Sequence, residues 1–172
     1  MGRLSPRRRL LTWRTLPRTA RVEFLRAWWR LPLAMVLLRI SPFRSVAPRI
    51  GSVVAPDSPA PALSDVRRAR EIGDAVRRAA RYAPWSARCL PQAMVASWLL
   101  GRAGIACVVR FGIRTGSEAV GDGFLDAAHA WVESGDLVVV GGRSSLRGYT
   151  PVAAFLSEPA TRAGSDRVHE AE

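Results

Sequence analysis

The sequence predicts an α+β fold in which helices from the first half of the chain pack on a small antiparallel sheet. Three observations carry that expectation. Apolar residues recur at helical spacing over residues 66–82 and again after Cys89. The β-branched run over residues 105–113 and the alternating stretch 128–133 read as strands. Ser134-Gly135-Asp136 then forms a tight turn into residues 137–140, which makes a hairpin.

With 172 residues the chain is long enough for one filled core and too short for two ordinary domains, so one compact domain with an appendage is expected. Hydrophobic residues at 48% and charged ones at 23% exclude a disordered or collagen-like chain. The net charge is +12, and every one of the 26 basic residues is arginine. Residues 1–49 hold twelve arginines and a single acid, Glu23, and therefore carry +11 of that charge. A uniformly basic nucleic-acid module is thus excluded, and no nucleic-acid partner is expected. Two cysteines, Cys89 and Cys107, exclude a disulfide-rich scaffold. One bridge is allowed by the count, but free thiols in a cytoplasmic chain are the simpler reading. The cysteines and the histidines at 129 and 169 show no metal-ligand spacing, and neither a metal nor another cofactor is implied.

Residues 1–20 are arginine-rich, lack an apolar period and read as a mobile arm. The apolar stretch 22–38 is interrupted by Arg26 and Arg30 and closed by Arg39, which leaves it too short to span a bilayer. A helix packed on its own domain is the simplest account of it, with a membrane-surface or partner-docking helix as the alternative. The stretch "PRRRLLTW" faintly resembles a twin-arginine signal, but the apolar segment lies late and contains arginines. Residues 51–64 are small and proline-punctuated, as in a linker, so 21–63 reads as an apolar helical segment plus linker. Ser64-Asp65 can cap the helix 66–82, whose arginine-rich face is read as solvated. Pro91 belongs in a first helical turn, which sets the next N-cap within residues 88–90 and puts Cys89 at a helix start, with Gly104 as its left-handed end. Thr150-Pro151 can open a short last helix through Leu156. The core thus covers 64–157, and 158–172 is expected to be a disordered tail.

A thiol at a helix N-terminus meets unpaired N–H groups and the positive end of the helix dipole, which favour the thiolate, and Arg88 adds to the effect. Cys107, inside an apolar strand, is read as a small core residue. His129 is the one histidine within the folded part, on a strand face it shares with Trp131 and Glu133. A helix-borne cysteine followed by a strand-borne histidine is the order of papain-like and transglutaminase-like folds. The same two residues also fit a purely structural role as buried side chains.

"RCLPQAMVASWLLGRAGIACVVRFGIR", followed by "AHAWVE", is similar to the transglutaminase-like leader peptidases of lasso-peptide biosynthesis. The likeness extends upstream through "LLRISPFRSVAPRIG" and covers roughly residues 20–155. It implies a transglutaminase-like, papain-like cysteine peptidase core that removes the leader from a ribosomally made precursor before a separate cyclase closes the ring. In that reading Cys89 attacks the scissile carbonyl, and His129 takes the thiol proton and later protonates the leaving amine. Backbone N–H groups at the helix start hold the oxyanion, while Gln92 in the same turn is given no role. The family places an aspartate about a dozen residues after the histidine, where this chain has Val140-Gly141-Gly142. Asp136 in the preceding turn is the candidate third member, with Asp126 or a backbone carbonyl as alternatives. No leader-binding winged-helix domain is legible in residues 1–60, so a separate protein of that kind is expected as a partner beside the precursor peptide and the lasso cyclase. Two other readings remain: a thiol acyltransferase using the same pair, and a non-catalytic basic adaptor that docks on a membrane surface or partner.

Overall fold

The computed structural model describes residues 17–114, 128–142 and 148–159. Its elements in chain order are α1 (Arg18–Ile40), α2 (Phe43–Val46), a 3-10 turn (Ala47–Arg49) and β1 (Ser52–Val54). There follow α3 (Val66–Tyr82), α4 (Cys89–Arg102), β2 (Cys107–Arg114), β3 (Ala128–Ser134), β4 (Leu137–Val140) and β5 (Tyr149–Ser157). The strands form one antiparallel sheet in the order β1-β5-β2-β3-β4, so the expected α+β class holds.

Three helices share one core with the sheet. Ala27, Leu31 and Ala34 of α1, Ile72, Val76 and Ala79 of α3, and Met94, Val95 and Leu100 of α4 meet Val109, Val132, Val139 and Phe155 of the strands. Each large side chain fully removed from water contributes about 1.5–3 kcal/mol. The middle of α4 is buried on all sides from Ala93 to Ser97, which explains its weak amphipathic pattern in the sequence. Its start and end are as expected: Arg88 is the N-cap, Pro91 occupies the first turn, and Gly104 follows at φ +76°. Asp65 caps α3 by accepting a hydrogen bond from the Arg68 N–H at 2.8 Å. At the sheet's β4 edge, α3 lies alongside, and the Arg77 guanidinium donates to the Val139 carbonyl. That contact blocks further strand addition there.

Glu23 of α1 is buried and accepts from Arg26 at 2.7 Å and from Arg68 of α3 at 2.5 Å. A lone buried carboxylate would be costly, and the pairing ties α1 to α3.

The structure corrects three expectations. Residues 150–156, expected as a helix, belong to β5, which pairs with β1 on one side and β2 on the other. Seven residues of mixed propensity satisfy either period, and it was the two long-range ladders that decided. Pro151 is accommodated because the register shifts between Phe111 and Gly112, opposite which Val152 is the extra residue. The segment assigned as linker contributes β1 to the sheet, with Val53 opposite Phe155. Residues 18–20, assigned to the arm, form the first turn of α1, which continues through Pro32 to Ile40. Residues 1–16, 115–127 with Asp126, 143–147, and 160–172 with His169 lie outside the described residues.

Candidate active site

The start of α4 and the start of β3 bring Cys89 and His129 together. The thiol and the imidazole are hydrogen-bonded, and the backbone N–H groups of Ala130 and Leu90 also point to the sulfur. The Leu90 donor follows from local structure: it lies in the first helical turn, where N–H groups have no intrahelical acceptor, and Pro91 after it has no N–H to leave unpaired.

His129 Nε2 lies 3.0 Å from the Gly141 carbonyl oxygen. A carbonyl only accepts, so Nε2 carries the proton, and Nδ1 is left to face the sulfur. This contact settles what orients the ring. Gly141 has φ +103°, and a side chain there would collide with Trp131, so glycine is needed both for the conformation and for the close approach. Asp136 does not join the group. It is exposed in the turn after β3, seven residues along the chain from His129, beyond a strand that runs about 17 Å from His129 to Ser134.

The His129 ring packs in a three-ring cluster with Trp131 and Tyr149, whose own centroids are 6.5 Å apart. Trp131 is stacked at a centroid distance of 6.1 Å and 18°, and Tyr149 lies at 4.8 Å. Trp131 is itself anchored, since its indole Nε1 donates to Glu133 Oε1 at 2.6 Å. Arg110 Nε donates to the other carboxylate oxygen at 2.7 Å, and its remaining nitrogens donate to the Pro56 and Ser58 carbonyls, each at 2.6 Å. The strand alternation that puts His129, Trp131 and Glu133 on one face thus has a structural purpose. One ion pair fixes the indole that backs the histidine.

Burial pushes the Cys89 thiol up, but the hydrogen bond from His129, the Ala130 N–H, the histidine's charge and the Leu90 N–H outweigh it, so its pKa falls below the ordinary 9.0. For His129 the hydrogen bond to Cys89 is the largest influence. It exceeds the burial that acts the other way, and with the Gly141 contact it raises the pKa above 6.5. Both shifts favour the thiolate–imidazolium pair. Burial pushes Cys107 up to about 12, with only a partial offset from Ser157. Iodoacetamide should accordingly modify Cys89 alone, at a rate whose midpoint lies below pH 9.0; His129→Gln should move that midpoint upward. A wild-type midpoint at or above the ordinary thiol value would contradict this account.

The pair sits in the wall of a cleft of about 920 Å³. α1 supplies Met35, Leu38 and Arg39 to it, β2 supplies Phe111 and Ile113, and Phe43 and Val152 complete a largely apolar lining. Gln92 turns away from catalysis and donates from Nε2 to the Ala87 carbonyl at 2.8 Å, bracing the loop before Cys89. Among the described residues no three His, Cys, Asp or Glu side chains gather in a way that could hold a metal ion.

Sequence reasoning reached Cys89 and His129 but missed Gly141, Tyr149 and the Arg110–Glu133 support. Two signals were present: a charged residue inside the apolar run "CVVRFGI", and a Gly-Gly pair where an acid was sought. Tyr149 left none, since its position depends on β5.

A thiol at the start of a buried helix, hydrogen-bonded to a histidine on an antiparallel strand beside an apolar cleft, defines the class of cysteine-dependent acyl-transfer folds. The chain matches the family model of the transglutaminase-like superfamily over residues 20–154 and belongs to that superfamily, which generally comprises cysteine peptidases and transglutaminases. No curated protein and no solved structure matches it. The match begins inside α1 and ends inside β5, so α1 and β1 lie within the matched region.

Proposed function

We propose that the chain is a cysteine peptidase that removes the leader from a ribosomally synthesised lasso-peptide precursor, with Cys89 as nucleophile and His129 as general base and acid. The observation that carries this reading is the hydrogen-bonded Cys89–His129 pair, its pKa values displaced toward the ion pair, opening on a cleft. The motifs "RCLPQAM" and "AHAWVE" supply the narrower substrate class by their likeness to the leader peptidases.

The chemistry follows from the geometry. The Cys89 thiolate attacks the scissile carbonyl carbon, and the oxyanion meets the Cys89 backbone N–H in the first turn of α4. Nδ1–H of His129 protonates the departing amine as the tetrahedral adduct collapses to a thioester. Neutral His129 then takes a proton from water, whose oxygen attacks the thioester; the acid leaves and the thiol is restored. Gly141 keeps Nδ1 aimed at the sulfur by accepting from Nε2 throughout. The apolar lining suits a bulky apolar side chain next to the scissile bond. A separate leader-binding winged-helix protein presents the precursor, and the lasso cyclase takes the product.

A thioester can also be passed to an amine, and the superfamily includes transglutaminases, so acyl transfer is the second reading. One assay separates the two. Incubation of the precursor with this protein and its leader-binding partner should release the free leader acid. In the presence of an alkylamine the hydrolysed product should still predominate by mass spectrometry. Dominant amide product would favour the transferase, and an intact precursor with a reactive Cys89 would overturn the assigned substrate.

A further inference from the structure

The outward face of α1 has no role in the reading above. Val22, Leu25, Trp29, Leu33, Val36 and Ile40 recur at intervals of three and four residues and form one stripe down the helix. Trp29 and Ile40 are each 73% exposed and the other four are about half exposed, at 45–52%. Soluble surfaces carry single apolar residues without consequence, whereas a continuous stripe of this kind marks an interaction site. The opposite face, with Glu23, Ala27, Leu31 and Ala34, is spent on the core. Exposure of the stripe is therefore not a by-product of core packing.

The charge around the stripe identifies the partner. At 3.6 residues per turn, Arg21 and Arg39 border it on one side and Arg26 and Arg30 on the other. Glu23 is the single acid among residues 1–49, and it is buried against Arg26 and Arg68. Arg30 is held below its ordinary value by burial first and then by repulsion from Arg102 and Arg26, partly relieved by Glu23. Five further arginines and no acid lie in residues 1–16. A plane of anionic headgroups is matched by a border of arginines with no exposed acid among them. Arginine also pairs with phosphate in a bidentate fashion.

The length and composition agree. From Val22 to Ile40 the stripe runs about 27 Å along a helix that can lie flat on a surface. Trp29 stands midway, and indole favours the boundary between headgroups and acyl chains. No helix among the described residues is long and apolar enough to cross a membrane, so the contact would be peripheral. We infer that the outer face of α1 is a docking surface for an anionic lipid bilayer, with the apolar stripe entering the headgroup boundary and the arginines pairing with lipid phosphates. α1 also lends Met35, Leu38 and Arg39 to the cleft, so docking would set the site at the membrane.

The test uses the full chain and vesicles, with no precursor. Co-sedimentation should be at least tenfold greater with phosphatidylcholine vesicles carrying about one quarter phosphatidylglycerol than with phosphatidylcholine alone, and should fall severalfold in about 0.5 M salt. The double variant Trp29→Ser/Leu33→Ser should lose about tenfold in binding, with melting midpoint and near-ultraviolet dichroism unchanged. Cys89→Ala should bind like the wild type, which separates this surface from the assigned reaction. Equal sedimentation with both vesicle types overturns the inference, as does undiminished binding of the double variant. Self-association of the wild type that the double variant abolishes would assign the stripe to a second copy, and overturns it too.

Discussion

Cys89→Ala is expected to lower the rate of leader release by about 10⁴-fold or more, because the whole covalent route passes through that sulfur. His129→Ala should cost a comparable factor, and the double variant little beyond either alone, since the two groups act as a unit. The pH profile tests the same pair in the intact enzyme. Activity should fall on the acid side as pH drops through the lowered Cys89 value and the thiolate is protonated. On the alkaline side it should fall as pH rises through the raised His129 value and the proton needed by the leaving amine is lost. Leader release by Cys89→Ala at an undiminished rate would remove the catalytic assignment. Survival of activity in Asp136→Ala is expected, because that residue stands at the far end of β3 from the histidine.

Glu133→Ala should be the most damaging single change to stability, at about 3–5 kcal/mol, or a drop of roughly 10 °C in the melting midpoint. The carboxylate is largely shielded, with its side chain 12% exposed, and it satisfies both the Arg110 guanidinium and the Trp131 indole. Its removal leaves Arg110 buried with one donor direction unmatched, while the Pro56 and Ser58 carbonyls still hold the guanidinium in place. Paired replacement by Arg110→Met and Glu133→Leu should cost less than Glu133→Ala alone, because no uncompensated charge remains. If Glu133→Ala melts within about 1 °C of the wild type, the ion pair contributes nothing and Trp131 is held by packing alone. The consequence would reach the site as well, since Trp131 backs His129 and lies against Gly141.

Much of this architecture was legible because it rests on local rules. Pro91 sets the start of α4 by its missing N–H, and that alone puts Cys89 among unpaired donors. The alternation in "AHAWVES" puts His129, Trp131 and Glu133 on one face whatever the sheet around them. Helix α3 follows from its spacing and from the Asp65 cap. The segment 150–156 was misread for the opposite reason, since its structure comes from ladders to partners about 40 and 100 residues away in sequence, which a local period does not report. The 51–64 stretch was likewise read from its prolines, although three of its residues complete the sheet.

The third member of the site shows the same division. An acid was sought because an acid is the family's usual device, and Asp136 was the acid closest to the position where the family carries it. The structure uses the Gly141 carbonyl, and a backbone acceptor has no residue type to search for. What marks the position is the glycine that lets the chain pass close to Trp131 and turn its carbonyl toward Nε2.

The amino-acid order by itself determined which thiol sits at a helix start, which histidine shares a strand face with Trp131 and Glu133, and that nearly all the excess charge precedes both, because each of these follows from neighbours along the chain. Only the tertiary structure decided that the thiol meets that histidine, that a carbonyl and not a carboxylate orients it, and that α1 keeps an apolar stripe outside the core. Those outcomes depend on distances between segments far apart in sequence, which packing sets and periodicity does not carry.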